Sequence, residues 1–172
     1  KAHIQDLSLS IDAIEEKLRA APIQSTADLH AFNHWKNQQS QIQPMIADGS
    51  VSLVISNCVL NLVDKANRKQ MIAEIFRVLK VGGRVAISDI ICDEQVPAAL
   101  QNDPTLWSGC ISGAFEEKEF IDAFIEAGFV GVSYDKWDDA PWQVVEGIEF
   151  RSATLLATKP STEHLYDAGQ AV

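Results

Sequence analysis

No glycine precedes Gly49 and no cysteine precedes Cys58 in this 172-residue chain. Nowhere does an acidic-x-Gly-x-Gly-x-Gly run occur, so no glycine-rich cofactor loop is legible along its length. The three cysteines, Cys58, Cys92 and Cys110, are too few and too odd in number for a disulfide framework. A reducing cytoplasm is therefore the simpler expected location. No apolar run reaches the roughly 18–20 residues of a membrane span. The opening KAHIQDLSLS lacks the basic-then-apolar plan of a signal peptide, and Lys1 stands where a start methionine would, so an upstream beginning is expected. Basic residues are scarce too: 14 Lys and Arg face 24 Asp and Glu, a net charge of −10. That balance argues against a nucleic-acid partner, whose phosphates call for a basic patch.

What is present reads as one globular domain, with 47% hydrophobic and 22% charged residues. The charge is unevenly spread. Residues 93–139 carry 11 acidic and 2 basic side chains, whereas residues 51–92 carry 3 acidic and 6 basic. The basic excess falls mostly on one helix and reads as a solvated face. The acidic stretch suits a neutral or cationic ligand. Trp107, Trp137 and Trp142 lie in or beside it, as core packing or as a pocket wall. His3, His30, His34 and His164 show no metal-ligand spacing near the thiols and read as surface or packing residues.

Periodicity predicts a helix over 10–21, with Ser10 as N-cap and Ile11, Ile14 and Leu18 on one face. Thr26 is a possible cap for a second helix, although the polar run Asn37–Gln43 speaks against it. The middle is clearer. Val51 to Ile55 is a short β-branched run expected of a buried strand. Asp64 caps a helix over 65–79, Gly82-Gly83 ends it, and Arg84 to Ile91 forms a second strand. Strand, helix and strand make a βαβ unit with parallel strands. Short helices and a loop occupy 95–114, then comes a helix over 116–127 with Phe120, Phe124 and Ile125 inward and Gly128 at its end. Val130 to Tyr134 and Phe150 to Thr158 are two more strands, expected to pair antiparallel. The tail from Pro160 is expected to fray. The predicted fold class is α/β: a partial Rossmann-like sheet of parallel strands with an antiparallel final strand.

Several stretches then resemble one family. ADGSVSLVISNCVLNLVDKANRKQMIAEIFRVLKVGGRVAISDI resembles the second half of class I S-adenosylmethionine-dependent methyltransferases. Three features are similar to arsenite methyltransferases in particular. They are Ser56-Asn57-Cys58-Val59-Leu60-Asn61-Leu62, the run Leu106-Trp107-Ser108-Gly109-Cys110-Ile111-Ser112-Gly113-Ala114, and the closing GIEFRSATLLATKP. The likeness covers roughly residues 46–160. In that family the SNC cysteine and the LW–C cysteine bind trivalent arsenic as thiolates, so the resemblance implies that role for Cys58 and Cys110. Soft thiolates suit a thiophilic centre. Family members carry further cysteines nearer the N-terminus, and this chain has none there. Cys92 matches no family position but comes directly after a strand, where ligands of open α/β sheets gather. It is a weaker third ligand, with a buried core thiol as the stronger reading.

The resemblance also implies S-adenosylmethionine as cofactor, held by the first half of the family's sheet. The 50 residues before the first strand are too few for three strands with their crossovers, at roughly 30 residues per βαβ unit. The lone chain is thus expected to bind no cofactor. Asn57 and Asp89 stand at strand ends without that loop, and Asp89 is expected to make a local hydrogen bond. The expected organisation is an N-terminal helical segment over 1–46, a methyltransferase-like α/β domain over 47–160, and a tail over 161–172. The strand at 51–57 would then have an open edge. Either residues 1–47 wrap back over it, or two chains pair there as a homodimer. Three functions are compatible with these features: a methyltransferase-like protein without catalysis of its own, a methyltransferase whose N-terminal half is missing from this chain, or a thiol-based metalloid or small-molecule binder.

Overall fold

Helix α1 (Ile11–Ala20) is capped by Ser10, whose hydroxyl accepts from the Ala13 N–H. The computed structural model describes residues 1–161, and the tail expected to fray from Pro160 lies, past Ser161, outside the described residues. Helix α2 spans Thr26–Ile42, straight through the polar run, and Ser25 rather than Thr26 caps it. The Ser25 hydroxyl accepts from the Asp28 N–H, and the Asp28 carboxylate accepts in return from that hydroxyl and from the Gln24 N–H. Neither helix has a buried residue. Phe32 stacks on Trp35 and the Lys17 ammonium lies over Trp35, so the pair closes on its own aromatics. The leading segment is tied to the body elsewhere: the Leu7 N–H donates to Glu74, and the Leu7 and Ser8 carbonyls accept from Ile46 and Met45.

Strand β1 (Val51–Asn57), two short 3-10 turns (Leu60–Leu62 and Lys65–Asn67), helix α3 (Arg68–Val78) and strand β2 (Leu79–Cys92) form the expected βαβ unit. The strands run parallel, with Leu53 beside Arg84 and Asn57 beside Ser88. Asp64 does act as a cap, accepting from the Ala66 N–H, but the element it caps is the second 3-10 turn. The helix stops at Val78, short of the Gly82-Gly83 pair expected to end it. Leu79 is already extended, and the Lys159 ammonium donates to the Phe76 and Leu79 carbonyls at 2.7 and 2.8 Å. A cation thus satisfies the carbonyls at the helix C-terminus.

Next come α4 (Ala98–Gln101), α5 (Pro104–Ser108), β3 (Phe115–Glu116), α6 (Glu117–Glu126), β4 (Val130–Trp137), β5 (Gln143–Val145) and β6 (Ile148–Thr158). The sheet order is β1-β2-β6-β4, with β3 beside β2 and β5 beside β6. The final strand β6 is antiparallel to β2, β4 and β5. The expected parallel pair closed by an antiparallel strand is present, and because β6 lies between β2 and β4, antiparallel pairings predominate. Strands β3 and β5 are too short to register as periodic runs.

Helices α3 and α6 cover one face. Met71, Ile72, Ile75, Phe120 and Phe124 pack on Val85, Ile87, Ile91 and Leu155. Burying Phe120 and Phe124 stabilises this layer by about 2–3 kcal/mol each. Ile125, expected to face inward, is exposed, because it sits about 100° around the helix from Phe124. Gly128 ends α6 as expected, with φ of +96° and the Phe129 N–H bonded to the Phe124 carbonyl. A second buried cluster joins Cys92, Val96, Leu100, Ile111, Ile148 and Phe150 under α4 and α5. The leading residues do not pair over the β1 edge: among the described residues β1 pairs with β2 alone. No helix among them is long and apolar enough to cross a membrane.

Candidate functional site: two thiols at one strand end

The end of β1 turns sharply at Cys58, a non-glycine residue with φ of +52°. Its N–H stays in the ladder, donating to the Ser88 carbonyl at 2.9 Å. The turn is fixed from beneath by Asp89, which lies on β2 and is 2% exposed. One Asp89 oxygen accepts from the Leu60 and Asn61 N–H groups at 3.0 and 3.3 Å, and the other accepts from the Ile90 N–H at 2.9 Å. This is the local bonding expected of Asp89. Burial raises its pKa, while the three N–H donors and the charge of Arg68 pull it down.

Cys110 reaches the same place from the far side of the sequence. It lies just past α5, which Asp103 caps by accepting from the Thr105 and Leu106 N–H groups. Cys110 too is left-handed, at φ +62°. Its thiol comes to 4.0 Å from the Cys58 carbonyl oxygen. The Cys58 thiol points to Asn57 Oδ1 at 3.3 Å. Among the described residues, Glu146 is the third non-glycine position with left-handed backbone. Such backbone is unfavourable for a side-chain-bearing residue by about 1 kcal/mol or more, and these conformations concentrate at functional sites.

Four residues that sequence reasoning passed over hold the Cys110 loop in place. The Asn61 side-chain amide donates to the Ile90 and Cys110 carbonyls at 2.6 and 3.3 Å. Arg68, 5% exposed, donates to the Gly113 carbonyl at 2.6 Å and to the Val63 carbonyl at 3.2 Å, with its guanidinium 4.2 Å over the Phe115 ring. The Ser112 hydroxyl bonds the Leu100 and Asp103 carbonyls. Gly113 lies directly against the Asn61 backbone. Asn61, Ser112 and Gly113 lie within the quoted arsenite-type motifs, whereas Arg68 lies outside them and reads in sequence as one more cation of a solvated helix.

Cys92 goes elsewhere. It is fully buried in the second cluster, with its thiol on the Phe115 carbonyl at 3.2 Å. Among the described residues no group of three or more His, Cys, Asp or Glu is placed to hold a metal ion. The Cys110 thiol lies against the Cys58 backbone, whereas Cys92 packs in the second cluster. Burial pushes the Cys58 thiol up, with Asp89 adding to it, and the Cys110 thiol rises through burial, Asp89 and Cys58. Burial pushes Cys92 up to about 12. In the folded chain near pH 8, an alkylating reagent is expected to modify exposed Cys58 first and to spare Cys92. Peptide mapping by mass spectrometry reads this directly. Cys92 also makes stability pH-dependent. Its contribution is complete below the ordinary thiol value of 9.0 and is lost as pH rises through about 12, so the alkaline decline should be smaller in a Cys92→Ala chain, where Cys58 and Cys110 still contribute.

A groove of about 660 Å³ lies between α3 and α6, lined in part by Lys65, Lys69, Glu119, Asp122 and Glu126. Its charges are of both signs and neither Cys58 nor Cys110 lines it.

A methyltransferase-domain family model matches residues 5–128. The arsenite methyltransferase of Halobacterium salinarum is 37% identical over 125 residues, which is 69% of this chain and 32% of that protein. The arsenite methyltransferase of Mus musculus is 37% identical over 84 residues, or 49% of this chain and 22% of that protein. The match thus spans a third or less of these relatives. Among solved structures, an arsenic(III) S-adenosylmethionine methyltransferase from Chlamydomonas reinhardtii superposes with a TM-score of 0.57 and 27% identity, covering 69% of this chain and 40% of that one. The sheet is accordingly a partial class I methyltransferase sheet. The chain belongs to the methyltransferase-domain family and is related to the arsenite methyltransferases.

Proposed function

We propose that this chain is the substrate-binding part of an arsenite-type methyltransferase, in which Cys58 and Cys110 take up trivalent arsenic as thiolates. The observation that supports this reading is the meeting of two cysteines 52 positions apart, both in left-handed backbone, at one strand end. The chemistry needs no oxidant. Arsenous acid exchanges two hydroxyls for two thiols: two As–O bonds break, two As–S bonds form, and each thiol proton leaves with a hydroxyl as water. Thiolate softness favours the exchange. The raised thiol pKa values keep the free thiols protonated at neutral pH, so loading should accelerate as pH rises toward them.

S-adenosylmethionine does not fit the residues in hand. The family's cofactor loop comes after a strand and lets glycine backbone approach the ligand. Here the described residues ahead of β1 form α1 and α2, contribute no strand to the sheet, and have their first glycine at Gly49. No methyl-transfer step is therefore assigned to this chain alone. Trp107 stands three residues before Cys110, and its carbonyl accepts from the Cys110 N–H at 3.0 Å. Arsenite is expected to change Trp107 fluorescence and saturate at one equivalent. Cys58→Ser and Cys110→Ser should each weaken binding about 100-fold or more, since the second thiol adds an intramolecular contact. Unchanged titrations in both variants would sink the reading. Calorimetry with S-adenosylmethionine is expected to give no binding heat, and measurable affinity would favour a working methyltransferase instead.

A further inference from the structure

The groove between α3 and α6 is lined by residues within 65–127, and one of its buried cations lacks an acceptor. Arg68 lines it while only 5% exposed. Its guanidinium spends one edge on the protein itself, with Nε on the Val63 carbonyl and Nη2 on the Gly113 carbonyl. Nη1, on the opposite edge, is buried and has no hydrogen-bond partner among the described residues. A buried donor left without a partner is costly, and the guanidinium fork is best answered by an anionic oxygen. Burial pushes the Arg68 pKa down, and Glu119 is the foremost charge that raises it again. A carboxylate thus stands near Arg68 without bonding to it.

The two walls carry opposite charge. Helix α3 and the turn before it supply Lys65, Arg68 and Lys69, and α6 supplies Glu119, Asp122 and Glu126. Lys118 on α6 is neutralised by Asp122, and Glu116 is spent capping α6. At the C-terminal end of α6 the walls close directly, through Lys69 and Glu126 at 3.4 Å. Nearer the start of both helices, Lys65 and Glu119 are exposed, and neither has an ion-pair partner among the described residues. These long rim side chains can shift to admit a ligand to Nη1. An anion alone would meet the α6 carboxylates there, and a cation alone the α3 cations. A molecule carrying both charges a few bonds apart answers each wall and brings Nη1 its oxygen. Ala73 and Ala123, one from each helix, line the groove with small apolar side chains. We infer that this groove binds a zwitterionic small molecule of the amino-acid class. Its carboxylate meets Arg68 Nη1 and Lys65, its ammonium meets Glu119, and its apolar side chain lies between Ala73 and Ala123. The volume of about 660 Å³ is within the range of small-molecule sites.

Calorimetry of the full chain with l-leucine is expected to show saturable binding at one equivalent. l-Leucinamide lacks the carboxylate and N-acetyl-l-leucine lacks the ammonium. Each should bind about tenfold or more weaker, the weight of one charge-assisted hydrogen bond. Glu119→Gln should weaken l-leucine by a similar factor without weakening N-acetyl-l-leucine further, since that probe has no ammonium to lose. Lys65→Gln should weaken l-leucine but not l-leucinamide. Both side chains are exposed, so circular dichroism of the two variants should match wild type. Nuclear magnetic resonance locates the site independently: added l-leucine should shift the Ala73 and Ala123 amides most. Absence of saturable binding at millimolar l-leucine overturns the proposal, and it is the result expected if Glu119 itself swings onto Nη1. Equal affinity for the three probes overturns it too, as do shifts centred away from α3 and α6. None of these readouts depends on arsenic binding.

Discussion

Gly113→Ala is expected to cost about 3–5 kcal/mol and to dislodge the loop that carries Cys110. A Cβ at this position would lie 1.9 Å from the Asn61 carbonyl oxygen and 3.1 Å from Arg68 Nη2. Neither neighbour can yield cheaply. The Asn61 backbone is bound to Asp89 through its N–H, and the Asn61 side chain is bound to Ile90 and Cys110. Arg68 is buried and donates to the Gly113 carbonyl itself. Relief of the clash therefore needs the 3-10 turn after Cys58 and the loop around Cys110 to part, which breaks a charge-assisted hydrogen bond as well as the packing. Gly109→Ala is the control. There the nearest atom to an added Cβ is 3.6 Å away and φ is −87°, within reach of any residue. Its effect should stay within about 0.5 kcal/mol. Denaturant unfolding of the two variants side by side checks both numbers, and loss of arsenite-dependent fluorescence in Gly113→Ala alone would tie the clash to the thiol pair.

The contrast between these two glycines shows what was legible in the sequence. Both stand in the same motif, and nothing local separates them. Gly113 is special because of a backbone oxygen 52 positions earlier in the chain. The βαβ core was legible because its signals are local: β-branched runs at Val51–Ile55 and Val85–Ile91, and helical spacing at Met71, Ile72 and Ile75. The end of α3 was misread because its cap is remote. Lys159 closes the helix from the far end of β6, so Gly82-Gly83 had only the look of a terminator. The same logic applies to the thiols. A strand-end position was readable for Cys58 and Cys92 alike, but Ile91 and Cys92 are both buried where β2 passes between two clusters. The direction of the Cys92 side chain depends on Val96, Ile111 and Phe150 arriving there, which the pattern of β2 alone does not contain. Arg68 was invisible for a related reason. Its partners are backbone carbonyls, one of them 45 residues away, and a carbonyl leaves no trace in sequence.

Asp89→Ala is expected to destabilise the chain by about 3 kcal/mol and to make Cys58 more reactive at the same time. The carboxylate is the acceptor for three backbone N–H groups, those of Leu60, Asn61 and Ile90. Leu60 and Asn61 are buried, so without Asp89 their donors have no water to turn to. The deficit should vary with pH in an unusual sense. Burial raises the folded-state pKa of Asp89, so the folded chain holds this proton more tightly than the unfolded chain does. Wild-type stability from this group is therefore complete below the ordinary carboxylate value of 3.8 and falls as pH climbs through the raised value. The gap between wild type and Asp89→Ala should be widest in acid and narrow toward neutrality, the reverse of a salt-bridged aspartate. Denaturation midpoints across that range test the sign. The thiols respond through charge: Asp89 helps to hold both Cys58 and Cys110 above the ordinary thiol value. Its removal lowers both, raises the thiolate fraction at neutral pH, and should speed alkylation of Cys58. A variant that merely loosened the fold would expose Cys92 as well. Faster modification of Cys58 with Cys92 still protected therefore separates an electrostatic role for Asp89 from a purely structural one.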